Sequence, residues 1–451
     1  MSTSHDLIVV PQERALVGSV PLSPDESITP FALLTASLAD GRSEVLGASW
    51  GERTQAMIEA LRKLGIAIDV GAKGIFVEGR GLYGFVDPGE PIDCGAWPTT
   101  MRWLSGVLVG QSFASTLTMA PAFAPMEPLA KALRWRGGLI EGVFLPEAPG
   151  RILPPLTVGP LPGGVHLSEL EFEIGPMESD VKGAALLSGL YSDGATYLRE
   201  PLVSCDHAER RLQALDVPVA TAGSLVELEP AQWSAQLPTV SHRAVGDAGA
   251  AALLLVAAAL VPESQVSARD AGLNPTRGGA LSFLRRMGGQ FAGEVHAHIF
   301  GEPAGIASSA WAPLRATAID GEDALRAADD IGVLAALAAR AEGVSTIAAP
   351  TLSEGKIEAL AAVLRSFGVD VETSAAGFTV EGRPNGRLRA AEVDAGDEVD
   401  LATLSVLLGL VANGPSRVRR VDGLARRFPR IVGTLRALGA DLRVSAASEA
   451  T

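Results

Sequence analysis

The phrase MIEALRKLGIAIDV (residues 57–70) recurs in altered form along the chain and decides its fold. A helical run ends in Leu-Arg, two variable residues and a glycine, and an apolar strand follows at once. Glycine here supplies the left-handed backbone conformation with which many helices end before the chain turns. The further copies are LAKALRWRGGLIE (129–141), ERRLQALDVPV (209–219), LSFLRRMGGQF (281–291), LAAVLRSFGVDVE (360–372) and IVGTLRALGADLRV (431–444). Only the copy at 209–219 departs from the pattern, with Gln213 for the arginine and Asp216 for the glycine.

The spacing of the copies sets the domain organisation. They lie roughly 70 to 80 residues apart, which leaves room in each period for a βαβ unit with a further helix and strand. Three copies precede the segment QLPTVSHR (236–243) and three follow it. We therefore predict an α/β (α+β) protein of six βαβαββ-type units in two lobes, with helices inside and sheets outside. Residues 23–238 would form the upper lobe and residues 1–22 with 239–451 the lower lobe, with the ligand cleft between them.

Composition excludes several classes of protein. The chain of 451 residues carries a net charge of −15, which argues against nucleic acid as a partner. Two cysteines, Cys94 and Cys205, are too few for a disulfide framework. The first residues, MSTSHDLIVV, lack the pattern of a signal peptide, and the longest apolar runs are too short for a membrane span. We expect a cytoplasmic protein without a nucleic-acid or membrane partner and without a metal or other cofactor.

A set of phrases, in a fixed order, carries a family resemblance. They are PDESIT (24–29), DCG (93–95), TTMR (99–102), SDVK (179–182), SCDHAER (204–210), GLNPTR (272–277), DDI (329–331) and RRFP (426–429). Over nearly its whole length the chain thereby resembles the enolpyruvyl transferases, and among them the EPSP synthases. The resemblance implies a two-lobed inverse α/β barrel, a monomer, and transfer of the enolpyruvyl group of phosphoenolpyruvate (PEP) to a hydroxyl of shikimate 3-phosphate.

In the first half of the chain, cations that this family uses are replaced. Glu26 stands where the family has lysine, Phe31 where it has arginine, and Cys205 where it has the arginine of Ser-Arg-Asp-His. The family's Asn-Ala-Gly and the basic segment before Pro-Met read Ala-Trp-Pro (96–98) and Ala-Phe-Ala (122–124).

The second half of the chain departs from the family as well. Residues 352–356 (LSEGK) replace Lys-Glu-Ser-Asp-Arg, residues 398–400 (EVD) replace Asp-His-Arg, and Arg426 replaces a lysine. Each hydrogen bond to a charged group contributes about 1.5–3 kcal/mol, so these losses would weaken the binding of phosphates and carboxylates considerably. The sequence therefore predicts that ordinary EPSP synthesis is disfavoured and makes PEP a doubtful substrate.

The resemblance also supplies the candidate site residues. Asp329 stands at the position of the family's proton-transfer carboxylate, and new acids at family site positions add further candidates. Each has a structural alternative: a helix-start aspartate for Asp329, an exposed or bridged helix cation for Lys182 or Arg102, and a solvated rim position for the new acids. The candidate catalytic residues are Asp329, Glu26, Asp180 and Glu354, and the candidate substrate-binding residues are Ser27, Thr99, Arg102, Glu178, Ser179, Lys182, Ser204, Lys356 and Arg426.

Three functional hypotheses remain open at this point. The first is a diverged enzyme that acts on shikimate or a related hydroxylated cyclic carboxylate by elimination, isomerisation or modified enolpyruvyl transfer, in a specialised pathway such as natural product biosynthesis. The second is a genuine 3-phosphoshikimate 1-carboxyvinyltransferase of aromatic amino acid biosynthesis. The third is a homologue that binds a small molecule without catalysis.

Overall fold

The computed structural model describes residues 5–121, 124–144 and 150–446. These residues fall into two compact units. Unit A consists of Pro24–Ala244 and the short segment Ile299–Glu302. Unit B consists of the stretch that ends at Ser23, Val245–His298, and the stretch from Pro303 onward.

The strands are short, most of them four to nine residues. In chain order they are β1 (His5–Val9), β2 (Val17–Pro21), β3 (Asp40–Leu46), β4 (Ala67–Gly71), β5 (Gly74–Arg80), β6 (Ile92–Asp93), β7 (Ser115–Thr118), β8 (Ile140–Phe144), β9 (Ile152–Val158), β10 (Leu170–Glu173), β11 (Thr196–Arg199), β12 (Val219–Ala222), β13 (Leu225–Leu228), β14 (Ser241–Arg243), β15 (Gln265–Gly272), β16 (Gln290–Ile299), β17 (Glu302–Ala310), β18 (Leu314–Arg315), β19 (Ala318–Ile319), β20 (Ala341–Glu342), β21 (Val344–Ala348), β22 (Asp370–Ser374), β23 (Gly377–Glu381), β24 (Glu392–Asp394), β25 (Ser416–Arg419) and β26 (Leu442–Ala446).

The helices alternate with these strands. They are α1 (Thr29–Ser37), α2 (Glu52–Lys63), α3 (Pro98–Leu108), α4 (Glu127–Trp135), α5 (Ser179–Gly189), α6 (His207–Gln213), α7 (Ala248–Leu260), α8 (Gly279–Arg286), α9 (Gly321–Arg326), α10 (Ile331–Arg340), α11 (Glu354–Ser366), α12 (Val399–Gly409), α13 (Asp422–Arg427) and α14 (Ile431–Ala437). Short 3-10 turns cover Pro230–Gln232, Pro275–Arg277 and Ala328–Asp330.

The six predicted repeats are confirmed. Each copy of the phrase forms a helix followed by a strand, namely α2–β4, α4–β8, α6–β12, α8–β16, α11–β22 and α14–β26. A residue two or three positions beyond the end of each of these helices has a positive φ, including Gly65 at 84° and Gly439 at 109°. Asp216, which replaces glycine in its copy, adopts the same conformation at 59°. The aspartate thus meets the backbone requirement at a position that glycine normally fills.

Each repeat contributes to a four-stranded sheet in which one outer strand runs parallel to its neighbour and the two central strands are antiparallel. In the sheet β6-β7-β9-β8, β6 runs parallel to β7, and β9 runs antiparallel to both β7 and β8. The sheets β10-β11-β13-β12 and β19-β21-β23-β22 repeat this arrangement. In the sheet β14-β3-β5-β4 the parallel outer strand comes from much later in the chain, and in β16-β17-β15-β2 it comes from much earlier.

The core of each unit contains helices that are apolar on nearly all sides. All thirteen residues of α7 (AGAAALLLVAAAL) are buried, as are all nine of α1. A helix that is hydrophobic all round is typical of a core element. Helices α3 and α5 pack closely because Gly106 lacks a side chain: a Cβ there would lie 2.4 Å from the Ala184 carbonyl oxygen. The strands around the helices alternate between buried and more exposed residues, as in β9.

Candidate active site

In unit A, the carboxylate of Glu26 is buried. The residue is 6% exposed, and its Oε1 accepts a hydrogen bond from the Ser49 hydroxyl at 3.0 Å. A Cβ on Gly51, just before α2, would overlap this carboxylate, so the glycine makes room for it. The neighbouring Ser27 donates both its backbone N–H and its hydroxyl to Asp25 Oδ1. The solvated-rim alternative for Glu26 is therefore not what the structure shows, although its catalytic role stays a prediction.

An apolar residue, Phe31, stands where the resemblance implies an arginine. The ring of Phe31 packs edge-on against Trp103, with the ring centroids 4.9 Å apart. Both residues are buried in the unit A core. Such a pair contributes packing energy and offers no charge to a phosphate.

Helices α3 and α5 bring together three of the candidates. Arg102 Nη1 lies 2.6 Å from Asp180 Oδ2, and Thr99 donates its hydroxyl to the same oxygen at 3.1 Å. The Arg102 and Asp180 side chains are mostly buried. Since the aspartate partly neutralises the arginine, this cluster is less cationic than the resemblance implies. Glu178 accepts a hydrogen bond from Gly175 N at 3.0 Å, and Ser179 is the first residue of α5.

Lys182 lies at the centre of a buried ionic cluster. Its side chain is fully buried, and Nζ lies 2.7 Å from Glu200 Oε1 and 2.6 Å from Glu209 Oε1. Burial alone would lower the pKa of Lys182, but the two carboxylates outweigh burial and raise it. Glu200 also accepts the backbone N–H of Ser204 at 2.8 Å. The bridged-cation alternative describes Lys182 in this structure, and its contact with a substrate anion stays a prediction.

In unit B, Asp329 forms an ion pair with Arg277. Asp329 lies in the 3-10 turn before α10, and its Oδ2 contacts Arg277 Nη1. The Arg277 side chain is mostly buried, whereas Asp329 is exposed. The role of Asp329 in proton transfer stays a prediction.

Two further aspartates near Asp329, namely Asp330 and Asp400, have raised pKa values. Burial raises the pKa of Asp330 to about 6, against the opposing charge of Arg277. Burial likewise raises the pKa of Asp400 to about 6, although Asp400 accepts a hydrogen bond from Gly332 N at 3.4 Å. The charge of Asp329 adds to the shift in both cases. The sequence alone does not identify either residue as a catalytic candidate, because the burial that raises these pKa values depends on packing with segments remote in the chain, such as Ala280 beside Asp330 and Gly332 beside Asp400.

The remaining unit B candidates are surface residues. Lys356 Nζ lies 3.1 Å from Glu398 Oε2, and Arg426 Nη2 lies 3.9 Å from Asp397 Oδ2; all four side chains are largely exposed. Glu354 is exposed at the start of α11. Residues 122 and 123 of the replaced basic segment lie outside the described residues.

Among the described residues, no group of three or more His, Cys, Asp or Glu side chains is arranged to hold a metal ion. In the same part of the chain, no helix combines the length and the hydropathy needed to cross a membrane.

Comparison with known proteins identifies the family. The family model for EPSP synthase (3-phosphoshikimate 1-carboxyvinyltransferase) matches residues 10–435. The chain belongs to the EPSP synthase family. It is 30% identical to the 3-phosphoshikimate 1-carboxyvinyltransferase of Shouchella clausii, covering 94% of this chain and 97% of that protein.

Solved structures confirm the two-lobed inverse α/β barrel fold predicted for this EPSP synthase family member. The EPSP synthase from Acinetobacter baumannii superposes with a TM-score of 0.87 and 26% identity, covering 98% of this chain and 100% of that one. The enolpyruvyl transferase NikO from Streptomyces tendae shares the fold with a TM-score of 0.76 at 18% identity, covering 99% of this chain and 100% of that one. The chain is therefore an enzyme of the enolpyruvyl (carboxyvinyl) transferase family.

Proposed function

We propose that this chain catalyses the reaction for which its relatives are named, transfer of the carboxyvinyl group of PEP to a hydroxyl of shikimate 3-phosphate. The observation that carries this proposal is the match to curated 3-phosphoshikimate 1-carboxyvinyltransferases at 30% identity or above over 94% or more of the chain. The doubt about PEP that we drew from the sequence receives no support from these relatives.

The acids of unit B fit the proton transfers that such a reaction needs. The acceptor oxygen attacks C2 of PEP and loses its proton, while C3 gains one; loss of a C3 proton then expels inorganic phosphate. A carboxylate whose pKa lies near the working pH both accepts and returns a proton efficiently. Asp330 and Asp400, with pKa values of about 6, meet this requirement, and Asp329 lies next to Asp330 in the chain.

A second candidate follows from the charges of unit A. Glu26 is buried at a lysine position of the family, and the charges of Arg102 and Lys182 are balanced by Asp180, Glu200 and Glu209. These features favour an acceptor with fewer negative charges, such as shikimate itself or a related hydroxylated cyclic acid. On this substrate the chemistry would be a modified carboxyvinyl transfer, an elimination or an isomerisation.

One experiment separates these candidates. The purified protein is incubated with PEP and either shikimate 3-phosphate or shikimate, and released phosphate and product mass are measured. Turnover of shikimate 3-phosphate supports the first candidate, and turnover of shikimate alone supports the second. Binding of either acid without turnover would reject both and indicate a non-catalytic homologue.

A matched pair of variants tests the site itself. Asp329→Asn should lower turnover by about 10²- to 10⁴-fold, the usual contribution of a positioned acid or base. Asp323→Asn removes another aspartate of unit B that pairs with an arginine, Arg286, at 2.6 Å. This control should leave turnover unchanged, and an equal loss in both variants would contradict the proposed role of Asp329.

A further inference from the structure

Unit A contains a cavity formed by residues that are not among the site candidates. Its volume is about 370 Å³, within the range of cavities that hold small molecules. It is lined by residues at the start of β3, in the loop that follows β5 and in the segment 235–237. Asp40 and Arg80 are its charged lining residues, and Tyr83 and Gln236 add further polar groups.

The two charged residues of the cavity come from neighbouring strands. Asp40 and Arg80 are direct partners in the antiparallel pairing of β3 with β5, so their side chains lie on the same face of the sheet. On the same two strands, the equivalent partners Arg42 and Glu78 form an ion pair at 3.3 Å. Within the described part of the chain, Asp40 and Arg80 form no such pair, and Arg80 Nη1 donates instead to the Gly65 carbonyl at a long 3.4 Å. The cavity therefore presents a carboxylate and a guanidinium that do not neutralise each other by direct contact.

The loop that follows β5 is fixed in place by buried side chains. The carbonyl of Leu82 accepts hydrogen bonds from Gln111 Nε2 and from the Tyr191 hydroxyl, both at 2.9 Å. Gln111 and Tyr191 are almost completely buried. The N–H of Gly81 donates to the Ala39 carbonyl at 2.9 Å. Because these contacts hold the loop against the core, the cavity is formed before any ligand binds.

An aromatic ring and a strained residue also line the cavity. Tyr83 is 61% exposed, and its ring lies nearly perpendicular to that of Tyr191, with the centroids 5.5 Å apart. An exposed ring offers a flat apolar surface next to the two charges. Ala235 has a φ of 56°, a left-handed conformation that residues other than glycine rarely adopt. Such strain is concentrated at binding and active sites.

We propose that this cavity binds a free α-amino acid as its zwitterion. The ammonium group would pair with Asp40, the carboxylate with Arg80, and an apolar side chain would lie against the ring of Tyr83. An α-amino acid carries its two charges on neighbouring atoms, which matches two side chains on strands about 5 Å apart. Both contacts are charge-assisted hydrogen bonds, the stronger kind. This site stands independently of the proposed carboxyvinyl transfer, because its test is binding and not turnover.

Three compounds test which groups of the ligand are recognised. The purified chain is titrated with L-phenylalanine, with 3-phenylpropionate, which lacks the ammonium group, and with phenethylamine, which lacks the carboxylate. Calorimetry up to millimolar concentrations should show binding of L-phenylalanine and about tenfold or greater weakening for each of the other two, because each loses a hydrogen bond to a charged group. Absence of binding by L-phenylalanine, or equal binding of all three compounds, would overturn the proposal.

Variants place the binding in this cavity. Asp40→Asn and Arg80→Gln should each weaken the binding of L-phenylalanine about tenfold or more. Arg42→Gln is the matched control, since Arg42 is an exposed arginine on β3 whose partner is Glu78. Its affinity should equal that of the unaltered protein. Unchanged affinity in Asp40→Asn, or an equal loss in Arg42→Gln, would show that the amino acid binds elsewhere and would overturn the proposal.

A charge reversal keeps the test decisive if Arg80→Gln does not fold. Asp40 is exposed, and its carboxylate makes no hydrogen bond to the described residues, so its replacement should leave the fold intact. Asp40→Lys places two cations in the cavity, which should reverse the preference: 3-phenylpropionate should then bind more tightly than L-phenylalanine. An order of affinities that stays as in the unaltered protein would contradict recognition of the ammonium group by Asp40.

Discussion

The ammonium of Lys182 and the carboxylate of Glu209 lie 2.6 Å apart, and both side chains are almost completely buried. Glu200 completes the cluster, with its Oε1 2.7 Å from Lys182 Nζ. Two carboxylates and one ammonium are thereby removed from water in the core of unit A. The cluster thus gives Lys182, a candidate substrate-binding residue, two carboxylate partners within the protein.

Lys182→Met should destabilise the protein strongly. Removing one partner of a buried ion pair leaves uncompensated charge and typically costs about 3–5 kcal/mol. Urea unfolding should report this loss in the free energy of unfolding. Lys356→Met, which removes a lysine from the exposed pair with Glu398, is the control and should cost below about 1 kcal/mol. Similar losses in the two variants would show that the buried ion pairs of Lys182 contribute no more to the free energy of unfolding than an exposed pair does.

Stability should fall as pH rises through the range in which Asp400 loses its proton. The pKa of Asp400 is about 6 in the folded protein, against 3.8 as its ordinary value. Between these values the folded state binds more protons than the unfolded state, so the contribution is fully present below about pH 4 and is lost above about pH 6. Because the carboxyl is only partly buried, we expect a loss of about 1–2 kcal/mol rather than the full value of the shift.

Asp400→Asn removes this titration while keeping an oxygen that can accept the Gly332 N–H. The variant should show a flatter dependence of unfolding free energy on pH between 4 and 6.5, measured by denaturant titration at each pH. Asp370→Asn, at an exposed surface pair with Arg383, should keep the slope of the unaltered protein. Part of the slope should remain because the pKa of Asp330 is also about 6, and an undiminished slope in Asp400→Asn would contradict the contribution of Asp400.

Turnover, under the proposed function, should rise as pH increases through about 6. A general base must be ionised to accept a proton, and burial holds the pKa of Asp330 at about 6. In Asp330→Asn this acidic limb of the kcat profile should shift or disappear. An acidic limb that is identical in the variant would exclude Asp330 as the group that controls it.

The contact between Glu26 and Gly51 should appear as an energetic coupling. Gly51→Ala places a methyl group on the Glu26 carboxylate and should cost about 1–3 kcal/mol. Glu26→Ala frees that space, so the double variant should lose less than the sum of the two single variants, by about 1 kcal/mol or more. Thermal unfolding of the unaltered protein, the two single variants and the double variant gives the four free energies of this double-mutant cycle. Gly433→Ala, with no atom near its new methyl group, is the control and should not destabilise.

The six repeats could be predicted from the sequence because local interactions determine their structure. A helix end followed by a left-handed residue and a strand depends on hydrogen bonds within a few residues. The residues of each copy therefore determine its local structure without contacts from remote segments. The sequence alone aligns Asp216 with the glycines of the other copies, and its φ of 59° agrees with that alignment. The order of family phrases then led to the inverse α/β barrel and the enolpyruvyl transferase family.

The chemical state of the candidate site was decided by tertiary structure. Nothing near Lys182 in the chain reveals that Glu200 and Glu209 neutralise it, or that Asp400 accepts a proton near pH 6. His207 and Glu302 are 95 residues apart in sequence and 2.7 Å apart in space. Proton affinity and ion pairing depend on burial and on the distance between charges, and only the packing of remote segments sets these quantities.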